Sequence, residues 1–254
     1  MIAKTLAHSL LGLVLPASCT CCGEPADRTH DGLTVCPACR KALAATAAQP
    51  FCPRCGRTVG PYASCGQCSR KSPPFQAAVR AGTYDSPLGD MIRALKYRDG
   101  VYTLPLLADL LLARLHQAGL AERIDLATAV PLHWWRCYRR GFNQAALLAR
   151  TVVRRGRLRL PLRRLLVRTR DTPPQVGLSA TARRENVRGA FRVRDPAMVK
   201  DRRILLLDDV MTTGATVGEC ARALRRAGAR EVVVAVAAIA GSGPMVVASG
   251  PAVG

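Results

Sequence analysis

The chain has 254 residues, with 38 Lys or Arg against 17 Asp or Glu and a formal net charge of +21. That length supports a full core plus a small accessory module, so two domains are expected. No apolar run reaches the ~20 residues of a membrane span, and the expectation is a cytoplasmic protein. The charge invites a polyanionic partner, although only five of the basic residues are Lys, which also points to an Arg-favouring codon bias.

Residues 6–15 (LAHSLLGLVL), followed by Pro-Ala-Ser-Cys19, have the outline of a signal peptide or lipoprotein box. The run is short, Lys4 alone precedes it as a charge, and Pro16 stands where a lipobox carries Leu. An amphipathic helix packed on the protein body is the expectation.

Nine of the eleven cysteines precede residue 69, and eight form four C-x-x-C pairs: Cys19 and Cys22, Cys36 and Cys39, Cys52 and Cys55, Cys65 and Cys68. Thirteen residues separate the first two pairs and nine the last two, the spacing of two successive Cys₄ zinc ribbons. Disulfides are the alternative, but without an export signal these pairs suit a metal better. A module of this size with few large apolar side chains needs the ion to hold its shape, so about two structural Zn²⁺ are expected. Cys21 contests the ligand role of Cys22, while Cys137 and Cys220 read as ordinary thiols.

Pro73-Pro74 closes this module, and alternating strand and helix patterns follow. Strands are expected over 75–84, 124–130, 165–168, 204–207 and 231–239, with helices over 88–97, 104–118, 142–153 and 215–227. The fold class is therefore α/β, a parallel sheet with helices on both faces preceded by a double zinc ribbon. The division is 1–72 for the N-terminal helix and ribbons, 73–240 for the α/β domain and 241–254 for a flexible tail.

The run Arg203-Ile-Leu-Leu-Leu-Asp-Asp-Val-Met-Thr-Thr-Gly-Ala-Thr216 is the most telling segment. An apolar strand ending at Leu207 leads into Asp208 and Asp209, then into Thr212, Thr213, Gly214, Ala215 and Thr216 at the mouth of a helix. Helix-start N–H groups and threonine hydroxyls suit a 5′-phosphate, and the carboxylates suit ribose hydroxyls. The chain has neither a G-x-x-x-x-G-K-[ST] loop nor a strand followed by G-x-G-x-x-G. An Asp pair and Thr turn serving only as a helix cap is the alternative. The segment resembles the phosphoribosyl-pyrophosphate (PRPP) signature of type I phosphoribosyltransferases.

Two further loops accompany it. After the strand at Val130, Arg136, Arg139 and Arg140 could neutralise pyrophosphate. The stretch 168–191, carrying Gln175, Arg184 and Asn186, reads as a lid or else a surface excursion. From Arg136 to Arg170 there are twelve arginines and no Asp or Glu. That face meets a polyanion, a phosphate-rich ligand or solvent.

The cysteine-rich head, Leu95-Lys-Tyr-Arg98, Arg140-Gly-Phe-Asn-Gln144, Gln175 with Leu178, Arg184-x-Asn186 and the signature together resemble the ComF/GntX family. The resemblance implies PRPP binding with Mg²⁺ and a link to natural competence and incoming DNA. Its implied partners are PRPP, single-stranded DNA, and a DNA-uptake helicase or other competence proteins. Asp208 and Asp209 would hold the ribose and Thr212 to Thr216 the 5′-phosphate, with the zinc module as a hood over an acceptor the sequence does not name. Two classes stand: a phosphoribosyltransferase displacing pyrophosphate from C1, and a non-catalytic single-stranded DNA adaptor, for which Trp134, Trp135 and Tyr138 offer stacking surfaces.

Overall fold

The computed structural model describes residues 18–26, 34–60, 65–95, 98–132, 137–138, 141–158, 160–170 and 179–241. The expected helix at 6–15 and the tail from 242 lie outside them. In chain order the α-helices are α1 (Pro37–Ala48), α2 (Gly66–Arg70), α3 (Leu88–Ala94), α4 (Leu104–Gln117), α5 (Gln144–Arg155), α6 (Ala180–Val187) and α7 (Ala215–Arg226). The strands are β1 (Ala77–Thr83), β2 (Leu126–Ala129), β3 (Leu166–Arg168), β4 (Phe191–Val193), β5 (Arg203–Met211) and β6 (Glu231–Ile239).

Strands β1, β6, β5 and β2 lie in that order in one sheet, and every pairing is parallel. Its central strands are apolar almost throughout because both faces are covered. Leu205, Leu207, Val233 and Ala235 pack with Leu107, Leu111, Leu148 and Val152 of α4 and α5. Their alternating neighbours Ile204, Leu206, Val232 and Val234 pack instead with Val217, Cys220 and Leu224 of α7. The period of two along each strand thus builds two cores, one per face.

Local chemistry fixes the elements that approach the sheet's carboxyl ends. The Asn143 side chain caps α5 by accepting from Ala146 N at 3.3 Å, and its amide donates to Val130 O at 3.0 Å, tying the helix to the end of β2. Helix α4 opens with a proline in its first turn and buries Leu104, Leu107, Leu111 and Leu115 at helical spacing.

The structure differs from the sequence reading in four places. β5 runs on through Asp208 and Asp209 to Met211, with Asp208 opposite Val236 and Met211 opposite Ile239. The long apolar partner β6 offers ladder bonds to that whole length, which outweighs the poor strand preference of Asp. Helix α1, absent from the sequence reading, opens at Pro37 with Cys36 as its cap. β3 leaves the parallel sheet and pairs antiparallel with β4, Arg168 opposite Phe191. The 168–191 stretch contains α6, capped by Ser179, whose hydroxyl accepts from Ala182 N at 3.2 Å.

The cysteine-rich segment is packed onto the sheet. Cys19, Cys39 and Leu43 join the same apolar cluster as Leu88, Met91 and Leu107. Thr46 and Thr83 hydroxyls meet at 2.7 Å. Ala78 N donates to Pro53 O at 2.9 Å, and Gly56, at φ +74°, sits so close to β6 that a Cβ there would lie 2.7 Å from Ile239 Cδ1. Arg80 of β1 is buried under this contact, donating to Thr58 Oγ1 at 2.8 Å and lying 5.4 Å from the Phe51 ring centre. Burial, with Arg114 nearby, pulls its guanidinium down to about 10.

Candidate functional site

The two cysteine quartets are assembled. Cys19, Cys22, Cys36 and Cys39 form one group and Cys52, Cys55, Cys65 and Cys68 the other, with all sulfurs of a group within 4.8 Å of one another. Cys22 and Cys36 Sγ are 3.8 Å apart, Cys52 and Cys68 3.8 Å, and Cys55 and Cys65 3.5 Å. A disulfide needs about 2.05 Å, whereas thiolates ~2.3 Å from one tetrahedral Zn²⁺ stand near these separations. The donor set therefore fits two structural zinc ions. Cys21 is not one of the four sulfurs of the first quartet, although its thiol neighbours Cys19 and Cys39; its Sγ lies 3.5 Å from Met91 Sδ, and the first knuckle presents Cys22.

One thiol in each quartet is drawn toward ionisation by neighbouring N–H groups, while burial pushes Cys39 and Cys55 the other way. Burial opposes ionisation, but N–H groups of Cys36, Cys22 and Cys21 bring the Cys19 thiol down to about 6. Against the same opposition, the Cys68 N–H, the Cys55 thiol and the Gln67 N–H bring Cys65 to about 7. The Cys36 N to Cys19 Sγ distance is 3.3 Å.

Strand β5 delivers the signature to the N-terminus of α7. Gly214 caps α7 at φ +75°, a left-handed conformation in which a side chain is strained. Thr213 Oγ1 accepts from Ala215 N at 3.3 Å, and Gly214 O accepts from Gly218 N at 2.8 Å. A cleft of about 40 Å³ opens here, lined by Asp208, Val210, Thr212, Gly214, Thr216 and their neighbours. The first-turn N–H groups of a helix have no intrahelical acceptors, so this end of α7 is suited to an anion.

The carboxylates do not form a matched pair. Strand alternation sends Asp208 to the α7 face, where it is buried, and leaves Asp209 half-buried on the other. Burial, then the adjacent Asp209, raises the Asp208 carboxyl well above its ordinary range, with Arg168 pulling the opposite way. Asp208 Oδ1 accepts from Asp209 N at 3.0 Å.

The second quartet adjoins this loop. Arg57, two residues past Cys55, donates to Thr212 O at 3.2 Å. A cavity of about 380 Å³ lies between them, walled by the ribbon residues Cys55 and Cys68 and by Thr212, Thr213 and Gly214. Arg184 of α6 lines it too. Of the other expected site residues, Asn186 lies on α6, two residues from Arg184. Arg136, Arg139, Arg140 and Gln175 lie outside the described residues.

Comparison with known proteins bears on these two halves. The double zinc ribbon domain model matches residues 10–69, and the phosphoribosyl transferase domain model matches residues 137–252. The DNA utilization protein YhgH of Escherichia coli O6:H1 is 36% identical over 226 residues, covering 87% of this chain and 96% of the relative. Competence protein F of Haemophilus influenzae is 35% identical over 209 residues, covering 79% and 88%. The chain belongs to the ComF/GntX family. Among solved structures, the glutamine PRPP amidotransferase from B. subtilis is similar at a TM-score of 0.38 and 22% identity, over 57% of this chain and 30% of that one.

Sequence reasoning had no signal for Arg57, nor for Glu219 of α7. Glu219 is buried, accepts from Gly189 N at 3.0 Å and from Arg222 Nε at 2.8 Å, and so fixes the turn before β4 against α7. In this ComF/GntX member no described helix is long and apolar enough to cross a membrane.

Proposed function

We propose that this chain binds PRPP together with Mg²⁺ at the unit Asp208–Thr216 and acts in DNA utilization or natural transformation. The observation that carries the reading is the left-handed Gly214 turn, which aims the start of α7 and its threonines into the cleft beside Asp208. Thr212 to Thr216 would take the 5′-phosphate, and Asp208 and Asp209 the ribose hydroxyls. Arg136, Arg139 and Arg140 would take the pyrophosphate, under a lid carrying Gln175, Arg184 and Asn186. The oxygen donors of Asp209 and of the substrate's own phosphates fit Mg²⁺, which is held by one or two carboxylates plus phosphate oxygens in such sites.

In the catalytic form of this reading, an acceptor nucleophile bonds to C1 as the C1–oxygen bond to pyrophosphate breaks, with positive charge developing on the ribose ring. The arginines stabilise the leaving group. The names of the relatives, a DNA utilization protein and a competence protein, supply the cellular setting, in the cytoplasm with a DNA-uptake helicase or other competence proteins as partners. Titration calorimetry with PRPP and Mg²⁺ tests the binding, and an acceptor screen for released pyrophosphate tests turnover. Asp209→Asn should weaken PRPP by about 1.5–3 kcal/mol for a lost charge-assisted bond. Absence of saturable PRPP binding overturns the reading.

A second reading, a single-stranded DNA adaptor, is favoured by one observation. Arg150 and Arg154 stand exposed one helical turn apart on α5, on an element with no Asp or Glu.

A further inference from the structure

The 380 Å³ cavity is not the signature cleft. Neither Asp208 nor Asp209 lines it, yet both hollows share Met211, Thr212, Gly214 and Ala215, so the loop forms a partition between them. Its volume falls within the roughly 300–1,000 Å³ of small-molecule sites.

Two kinds of surface line it. Arg57 and Lys71 from the ribbon side face Arg184 of α6 and Arg222 of α7, and no Asp or Glu is among the lining residues. Arg222 is committed to Glu219, but Lys71 and Arg184 are exposed. Between these cations the wall is apolar and smooth: Pro73, Pro74, Phe75 and Met211, with Gly214 and Gly218 offering bare backbone. A Cβ on Gly218 would stand 3.6 Å from Pro74 Cγ, so the helix and the Pro-Pro corner meet as flat surfaces. Gln67, Ser72 and Thr213 add hydrogen-bonding groups of both senses at the edge.

A bare inorganic anion would satisfy the cations and leave the apolar wall wet, and an apolar ligand would leave the cations unmatched. We infer that this cavity is a second ligand site, for a nucleoside 5′-monophosphate whose phosphate meets Lys71 and Arg57 and whose base lies on the Pro73-Pro74 and Met211 wall. The site goes beyond PRPP binding and does not depend on it. Because the second zinc ribbon supplies Cys55, Arg57, Gln67, Cys68, Lys71 and Ser72 to the wall, the ribbon acts as a ligand-binding element as well as a structural one.

The test is calorimetry of the full zinc-loaded chain with dTMP, deoxyribose 5-phosphate and inorganic phosphate, each first without PRPP, followed by titration of PRPP into the dTMP complex. Saturable one-site binding of dTMP is expected, with the base-free compounds weaker by at least about tenfold. Lys71→Glu, at an exposed position, should weaken dTMP by about tenfold through charge reversal beside a dianion. Gly218→Leu should block the site by filling it, and if that variant misfolds the Lys71 result stands alone. A thymidine hexanucleotide with a 5′-phosphate, run in parallel, distinguishes a strand end from a free nucleotide as the source by which of the two binds tighter. No saturable dTMP binding, equal affinity for inorganic phosphate, an unchanged Lys71→Glu, or one-for-one displacement of dTMP by PRPP would each overturn the assignment.

Discussion

Asp208 is the residue whose surroundings change most between the linear chain and the folded one. Burial on the α7 face holds its carboxyl well above the ordinary range. The native state therefore keeps a proton that the unfolded chain releases above about pH 4, and stability falls as pH rises from there toward the raised value. Asp208→Asn removes that penalty. Thermal melts should show an unchanged or higher Tm at pH 7 and a flatter dependence on pH above 4, while PRPP affinity falls. A large loss of Tm at neutral pH would mean that the carboxylate is native and ionised, held by Arg168. Asp209, half-buried on the other face of the same strand, is the cleaner probe of ligand binding.

At the scale of elements, the second ribbon and α7 carry the argument. The ribbon touches the signature loop through Arg57 and touches β6 through Gly56. Cys52→Ser with Cys55→Ser should lose about one of two zinc ions by metal analysis. The same variant should also weaken PRPP binding, because the loop loses the Arg57 contact that holds Thr212. Full zinc content, or PRPP affinity equal to that of the parent, would break this link. Glu219 is the corresponding brace on the opposite side of α7. Glu219→Ala strands the Gly189 amide and frees Arg222, and chemical denaturation should register a loss of about 1–3 kcal/mol.

Over the whole molecule, the charge separates into different kinds of arginine. Arg80 and Arg168 are buried against Phe51 and Phe191. Arg155 donates through two guanidinium nitrogens to the two carboxylate oxygens of Asp109 of α4, each at 2.7 Å, although its own stretch of sequence has no carboxylate. Arg150 and Arg154 remain exposed on α5. If they form part of a polyanion track, affinity for single-stranded DNA should fall with salt at about −0.7 per phosphate neutralised. Arg150→Ala with Arg154→Ala should lower that slope while PRPP affinity holds. An unchanged slope would assign these arginines to solvent.

The sequence by itself determined the two modules and the metal-binding chemistry of the first. C-x-x-C spacing announced two Cys₄ sites, and alternating apolar periods announced a parallel α/β sheet, since both patterns depend on neighbours a few residues apart. It also gave the signature its loop residues, although it ended the strand too early at Leu207, because only the nine-residue partner β6 shows how far the ladder continues. Tertiary structure alone decided which aspartate is buried, because strand parity assigns a face and only the packed helices show what covers it. It alone paired Arg155 with Asp109, and it alone set the second ribbon against the signature loop, with a cavity between them. Those contacts join residues as many as 155 positions apart, and no local pattern encodes a meeting across that distance.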